Sequence, residues 1–417
     1  MDGRRSQRRQ IQDRRQKEYE KTTSAVQLDG LMGSKRFMVI PAQPKPLQGE
    51  PMVVFMGPQH PSTHGVLQVE LHTDGEVVER AVPRIGFLHR CKEKIGESVA
   101  YESYVPYTDR MDYLGAMNTN WVWSMAVEKL CGIEVPERAE YIRVFAGEFN
   151  RIASHLLFLG AFGMDLGAIT PFLHVFRDRE MVLDILEELS GARLCFGYIQ
   201  IGGVHADMTP RAMDMARRFL KVLRPHLDDL NELLSYNQIF IKRSANIGVI
   251  TAPQAIAYGL TGPMLRASGV NWDLRRDETY SLYNRFEFDI PTGQGLKGTV
   301  GDCWDRYYLR VREMYESARI LDQVIEGFPE GGEFRAKVPG VLRPPKGGEV
   351  YVRAECPRGE VAFYMISDGS TKPYRLRARG PSFCNLSIFE TISKDMLIAD
   401  LVATLGTFDL VMGEVDR

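Results

Sequence analysis

The sequence predicts an α+β protein in which a bundle of long helices is flanked by small antiparallel β regions built from the two ends of its folded part. Two patterns carry this. Apolar residues recur at three- and four-residue spacing through four long stretches between Pro136 and Ile325. Alternating apolar and polar residues, punctuated by turn residues, fill 52–88 and 349–379.

Taken in order, residues 1–21 are rich in Arg, Lys and Gln with almost nothing apolar, and 22–50 are punctuated by Gly and Pro. Such a stretch cannot bury a core, so residues 1–50 are expected to be a mostly disordered basic tail and connector, with one folded unit over 51–417. In 52–88 the run Val66–Leu71, the Asp74-Gly75 turn and Val77-Val78 predict a hairpin. Ahead of it, Gly57-Pro-Gln-His-Pro-Ser-Thr-His-Gly65 sets two histidines among residues that oppose regular structure, a stiff loop presenting His64. A helical stretch is expected to begin near Phe87–Lys94, and Tyr101–Asp112 reads as a polar, aromatic loop.

Helices are predicted over 118–131, from Pro136 to Phe162 (Ile142, Phe145, Phe149, Ile152 and Leu156 on one face), and over Phe176–Ser190, stopped by Gly191. Glu148, Arg151 and His155 share another face of the second, which reads as a salt-bridged surface. A Gly202-Gly203 turn precedes a helix from the Thr209 cap to Ser235, bent at Pro225. Residues 243–300 look irregular; Asp302 caps a helix with a core stripe from Trp304 to Ile325. After a Pro/Gly linker over 328–348 come two hairpins, turning at 357–359 and 368–370, and a short helix near 394–405.

Of the 417 residues 44% are hydrophobic and 25% charged, with a net charge of −2, so there is no global field for nucleic acid. A basic tail could still touch RNA, and salt-sensitive binding lost on deleting residues 1–21 would identify that class. The most apolar run, Leu156–Val175, is interrupted by Asp165, Pro171 and His174, so no membrane span is expected, and the polar N-terminus does not resemble a signal peptide. Six cysteines without a Cys-x-x-Cys pair predict no disulfide scaffold and no zinc or iron–sulfur ligand set. Motifs for binding NAD, ATP or zinc and for acyl transfer are missing. Proton-active residues in loops and at helix ends remain: His64, Tyr113 and Asp165.

Six motifs, spread in order from residue 57 to the last, carry a resemblance. They are the 57–65 loop, Leu88-His-Arg90 with Glu93-Lys94, Tyr107-Thr-Asp-Arg-Met-Asp-Tyr113, Asp165-Leu-Gly-Ala168, Gly202-Gly-Val-His205 and Gly413-Glu-Val-Asp-Arg417. Together they resemble the 49 kDa (D) subunit family of respiratory complex I, over residues 50–417. That family is similar in fold to the large subunit of nickel–iron hydrogenases, whose metals are held by two Cys-x-x-Cys pairs. By resemblance the first pair falls at Asp112 and Gly115, neither a thiol, so no metal ligands are expected.

The resemblance implies a subunit of a proton-translocating NADH:quinone oxidoreductase, not active alone. Its quinone-reduction site would be shared with a neighbouring iron–sulfur subunit that holds a [4Fe-4S] cluster. It further implies Tyr113 and His64 as headgroup donors, Asp165 as the carboxylate orienting His64, and Arg90 and Arg110 close to the partner's cluster. The expected partners are the B, C, H and A subunits, with peripheral attachment to the cytoplasmic side of the cell membrane. Cys91 departs from the Gly common after His-Arg, as if a helix continued there. Cys195 stands where many relatives carry a histidine near the cluster. Two rivals are the equivalent subunit of a complex fed by F420H2 or ferredoxin, and a structural scaffold without quinone chemistry.

Overall fold

A computed structural model describes residues 52–63 and 65–417; the expected tail and connector and His64 lie outside the described residues. Five long helices form the centre: α1 (Ala116–Cys131), α2 (Glu137–Asp165), α3 (Ile169–Ser190), α4 (Pro210–Leu230) and α5 (Cys303–Glu326). Ile142, Phe145, Phe149, Ile152 and Leu156 of α2 are all buried, as their spacing requires. The chain then reverses over Leu166–Ala168 and returns as α3, so the apolar run at 156–175 is an antiparallel helix pair. No helix among the described residues is long and apolar enough to cross a membrane. The close pairing needs Gly160, where a Cβ would sit 2.8 Å from Val175 Cγ2.

Helix α3 starts seven residues before the expected Phe176 because Pro171 lies in its first turn, where a missing N–H is no loss. Caps foreseen from sequence are present: Thr209 Oγ1 accepts from Ala212 N (3.0 Å) and Asp302 Oδ1 from Asp305 N (2.8 Å). Helix α4 keeps Pro225 inside it and runs into one π-helical turn, Asn231–Ser235.

The expected N-terminal hairpin is β2 (Gln68–Asp74) with β3 (Val77–Arg84), and β1 (Met52–Met56) pairs on the other side of β2. The second region is a three-stranded antiparallel sheet: β4 (Glu349–Cys356), β5 (Gly359–Ile366) and β6 (Arg375–Arg379). Cys356 pairs with Gly359, so Pro357 and Arg358 form the tight turn between β4 and β5. A two-residue strand, β7 (Met396–Leu397), returns to pair with β3, which local pattern did not foresee. It brings the following helix, α6 (Ile398–Gly406), and the C-terminal segment against the N-terminal sheet.

Two further expectations about local structure are corrected. Residues 101–112 are largely helical rather than loop, with a 3-10 turn at Glu102–Tyr104 and an α-turn at Val105–Asp109, because Tyr101, Tyr104 and Val105 are buried against α1 and the second sheet. The 243–300 stretch holds four short helices among its irregular turns.

Candidate functional site

Asp112 organises the turn that carries Tyr113. Its Oδ1 accepts the backbone N–H groups of Leu114 (3.2 Å) and Gly115 (3.0 Å), closing the turn into α1. Arg358, aimed inward by its hairpin turn, donates Nη1 to both Asp112 oxygens (2.9 and 3.0 Å). The same guanidinium holds the C-terminal segment, with Nε on the Asp409 carbonyl (2.8 Å) and Nη2 on Asp409 Oδ1 (3.3 Å). The Tyr113 ring is half-buried on this cluster. Burial pushes its phenol above the ordinary tyrosine value, Arg358 opposes this, and Asp112, Glu414 and Asp409 reinforce it.

In the 57–65 loop His60 serves the backbone. Its Nδ1 accepts from Ser62 N (3.2 Å), and its carbonyl accepts from Thr63 N (3.1 Å) and Thr63 Oγ1 (2.8 Å). Gly57 (φ +88°) approaches Leu67 so closely that a Cβ would lie 2.2 Å from its carbonyl oxygen. The turn Pro61–Thr63 packs on α6, and Gly65 lies beside Met412. Asp165 is the last residue of α2, and its Oδ2 is 3.1 Å from where a Gly406 Cβ would be. At Gly413 a Cβ would meet the Arg110 and Met111 carbonyl oxygens at 2.7 Å. Residues 406–413 thus run past Asp165, then past Gly65, then past the turn that leads to Tyr113.

Arg90 and Arg110 are both exposed, and between them lies a group that sequence reasoning missed. Lys92 is buried and donates Nζ to the carbonyls of Arg110 and Gly413, the latter at 3.1 Å. Burial lowers its ammonium to about 8, and the charges of Arg90 and Arg110 add to the shift. Cys195, half-buried at φ +55°, shares this neighbourhood: burial and Asp109 push its thiol up while Arg110 and Lys92 pull it down. Nothing in the pattern around Lys92 marks it as buried. Cys91 does not continue a helix: it sits at φ +53° ahead of the helix Lys92–Gly96, in the left-handed region that favours glycine.

The face of α2 bearing Glu148, Arg151 and His155 is not a surface, since all three side chains are fully buried. Glu148 lies 3.3 Å from both Arg151 and Arg275; His155 Nε2 is 2.9 Å from Glu313, which Arg266 approaches to 2.7 Å. Arg266 and Arg275 come from the 243–300 stretch: Arg275 brings opposite charge to Glu148 of this face, and Arg266 pairs with Glu313, the partner of His155.

At Gly115 a Cβ would sit 2.4 Å from Asp112 Oδ2, so these two positions hold a carboxylate and the turn it closes.

The family model described as respiratory-chain NADH dehydrogenase, 49 Kd subunit, matches residues 165–347 and 333–417. The chain is 53% identical over 376 residues to the D subunit of the NADH-quinone oxidoreductase of Chlorobium luteolum, covering 89% of this chain and 95% of that one. It is 50% identical over 370 residues to the corresponding D subunit of Bacillus thuringiensis, covering 89% of this chain and all of that one. Similarity of this extent makes the chain a member of the 49 kDa (D) subunit family of respiratory-chain NADH dehydrogenase.

Proposed function

We propose that this chain forms one wall of a quinone-reduction site in a proton-translocating NADH:quinone oxidoreductase, the other wall being an iron–sulfur B subunit whose [4Fe-4S] cluster delivers electrons. The observation that carries this reading is the convergence on residues 406–413 of three segments far apart in sequence: Asp165, the residues on either side of position 64, and the turn that leads to Tyr113.

Reducing a quinone to a quinol takes two electrons and two protons, so its oxygens need donors that release a proton as negative charge builds. Tyr113 and His64 are those donors in this reading. Asp165 orients His64 and balances its charge. The half-buried Tyr113 phenol, with its raised value, stays protonated until the quinone oxygen becomes basic enough to take the proton. Arg90 and Arg110, both exposed, would face the partner's cluster, where positive charge favours its reduced form. In this reading the fold is similar to that of a nickel–iron hydrogenase large subunit, with Asp112 and Gly115 where the first pair of thiolate ligands would fall. The C subunit and the membrane subunits H and A complete the surroundings and hold the chain at the cytoplasmic side of the cell membrane as a peripheral subunit, with residues 1–50 as an appended tail.

The test is Tyr113→Phe in native membranes, reading NADH-driven quinone reduction beside NADH oxidation by ferricyanide. Phenylalanine keeps the ring and removes only the proton donor. Quinone reduction is expected to fall about 100-fold, the low end for a positioned general acid, with ferricyanide activity and assembly intact. Unchanged quinone reduction would remove Tyr113 from the site and leave the scaffold reading.

A further inference from the structure

The cluster behind Tyr113 contains three buried carboxyl groups that are not equivalent. Asp112 and Asp409 are each ion-paired to Arg358, at 2.9 and 3.3 Å. Glu414, on the C-terminal turn Met412–Asp416, has no cation within ion-pair distance among the described residues. Its Oε1 accepts from Ser382 N (3.0 Å) and from Ser382 Oγ. Its Oε2 is buried without a hydrogen-bond partner. Further orphaned polar atoms lie in the same cluster: Asp409 Oδ2, and Nε and Nη2 of Arg310, whose guanidinium stacks 4.1 Å from the Phe158 ring centroid.

An unpaired carboxylate in such a place is costly, and the group lowers that cost by keeping its proton. Burial first, then the charge of Asp112, push Glu414 up to about 8, against the pull of Arg358 and the Ser382 bonds. The other groups on which its charge acts are Lys92, Tyr113 and the Cys356 thiol. Glu414 therefore keeps its proton at neutral pH, and a charge on it would act on the Tyr113 phenol.

We propose that Glu414 is the proton reserve of the site, returning a proton to Tyr113 after Tyr113 has given its own to the reduced quinone. The inference rests on the quinone-site reading. The quinone gains two electrons from the neighbouring cluster, one proton from Tyr113 and one from His64. The tyrosinate oxygen then takes the proton of Glu414, leaving a carboxylate that Arg358 and Lys92 stabilise and that solvent later reprotonates. Transfer from a carboxyl to a phenolate runs downhill, because the carboxyl is the stronger acid even when raised this far.

The experiment is Glu414→Gln in the assembled complex in native membranes, which keeps the acceptor for Ser382 and removes the titratable proton. Wild type is expected to lose quinone reductase rate as pH rises through about 8. In E414Q the rate at saturating quinone is expected to fall about tenfold, with KM and ferricyanide activity unchanged and that alkaline limb gone. Difference infrared spectra should show a protonated carboxyl band at pH 7 that E414Q lacks. Should E414Q fail to assemble, Ser382→Ala serves: it removes a bond that favours the ionised form, so the limb must move to higher pH. A limb that persists in E414Q, or stays put in S382A, belongs to another group, Lys92 first, and overturns the proposal. If Tyr113→Phe leaves quinone reduction unchanged the site reading itself fails; if that variant collapses while E414Q keeps the limb, only the reserve fails.

Discussion

Arg358 Nη1 lies 2.9 Å from Asp112 Oδ1, joining the turn between β4 and β5 to the turn that presents Tyr113, with both side chains fully buried. Buried pairs are costly to break from one side, because the remaining charge has no water to replace its partner. Arg358→Leu strands both Asp112 and Asp409 and is expected to cost about 3–5 kcal/mol, depleting assembled complex on native gels. Asp112→Asn keeps the acceptor for Leu114 and Gly115 and leaves Arg358 on Asp409, so it should be milder. Negligible losses from both would show that the pair does not hold this turn.

Gly406 ends α6 beside Asp165. A Cβ there would lie 3.0 Å from Phe162 Cδ2 and 3.1 Å from Asp165 Oδ2, displacing the carboxylate by a few tenths of an ångström. Gly406→Ala is expected to lower quinone reduction about 2- to 10-fold while ferricyanide activity holds, since misplacement of about 1 Å can cost 100-fold. An unaffected quinone rate would mean that the position of Asp165 is not critical.

Asp109 is buried, and both its oxygens accept from Gly197 N (3.3 and 3.1 Å). Burial raises its carboxyl from 3.8 to about 6, against that bond. Between those values the folded state holds a proton that the unfolded chain has lost, so stability falls as pH rises from 3.8 to about 6 and the cost is complete above. Asp109→Asn keeps the acceptor and removes the charge, so it should stabilise by about 1–3 kcal/mol above that range. The check is the thermal inactivation midpoint of the complex against pH, which should be flatter for the variant.

Cys91 occupies φ +53°, a backbone region that costs an ordinary residue about 1–2 kcal/mol and glycine little. Cys91→Gly is expected to leave thermal inactivation unchanged or raised, the gain being partly offset by the freer unfolded chain. Cys91→Val, branched at Cβ, should lower it. Val matching Gly would show that the turn adapts.

The hairpin at Asp74-Gly75, the caps Thr209 and Asp302 and the buried stripe of α2 were legible because each depends on residues within a few positions of one another. The six motifs were legible as a family pattern, and His64, Tyr113, Asp165, Arg90 and Arg110 entered as site candidates only through what that pattern implies. The helical form of 101–112 was not, because burial of its aromatic residues against α1 and the second sheet outweighs a local composition suited to loops.

Helix and strand periods, turns and family membership could thus be read from the chain alone, since all of them are properties of neighbouring residues or of ordered motifs. Which charges lie inside emerged from three-dimensional packing. Glu148 and His155 are buried because Arg275 and Glu313, more than 120 residues away, meet them. Arg358 finds Asp112 across 246 positions, and Ser382 finds Glu414 across 32. A charged side chain reads the same in sequence whether it faces water or a partner. The difference is made by desolvation and pairing, which exist only once distant segments have come together.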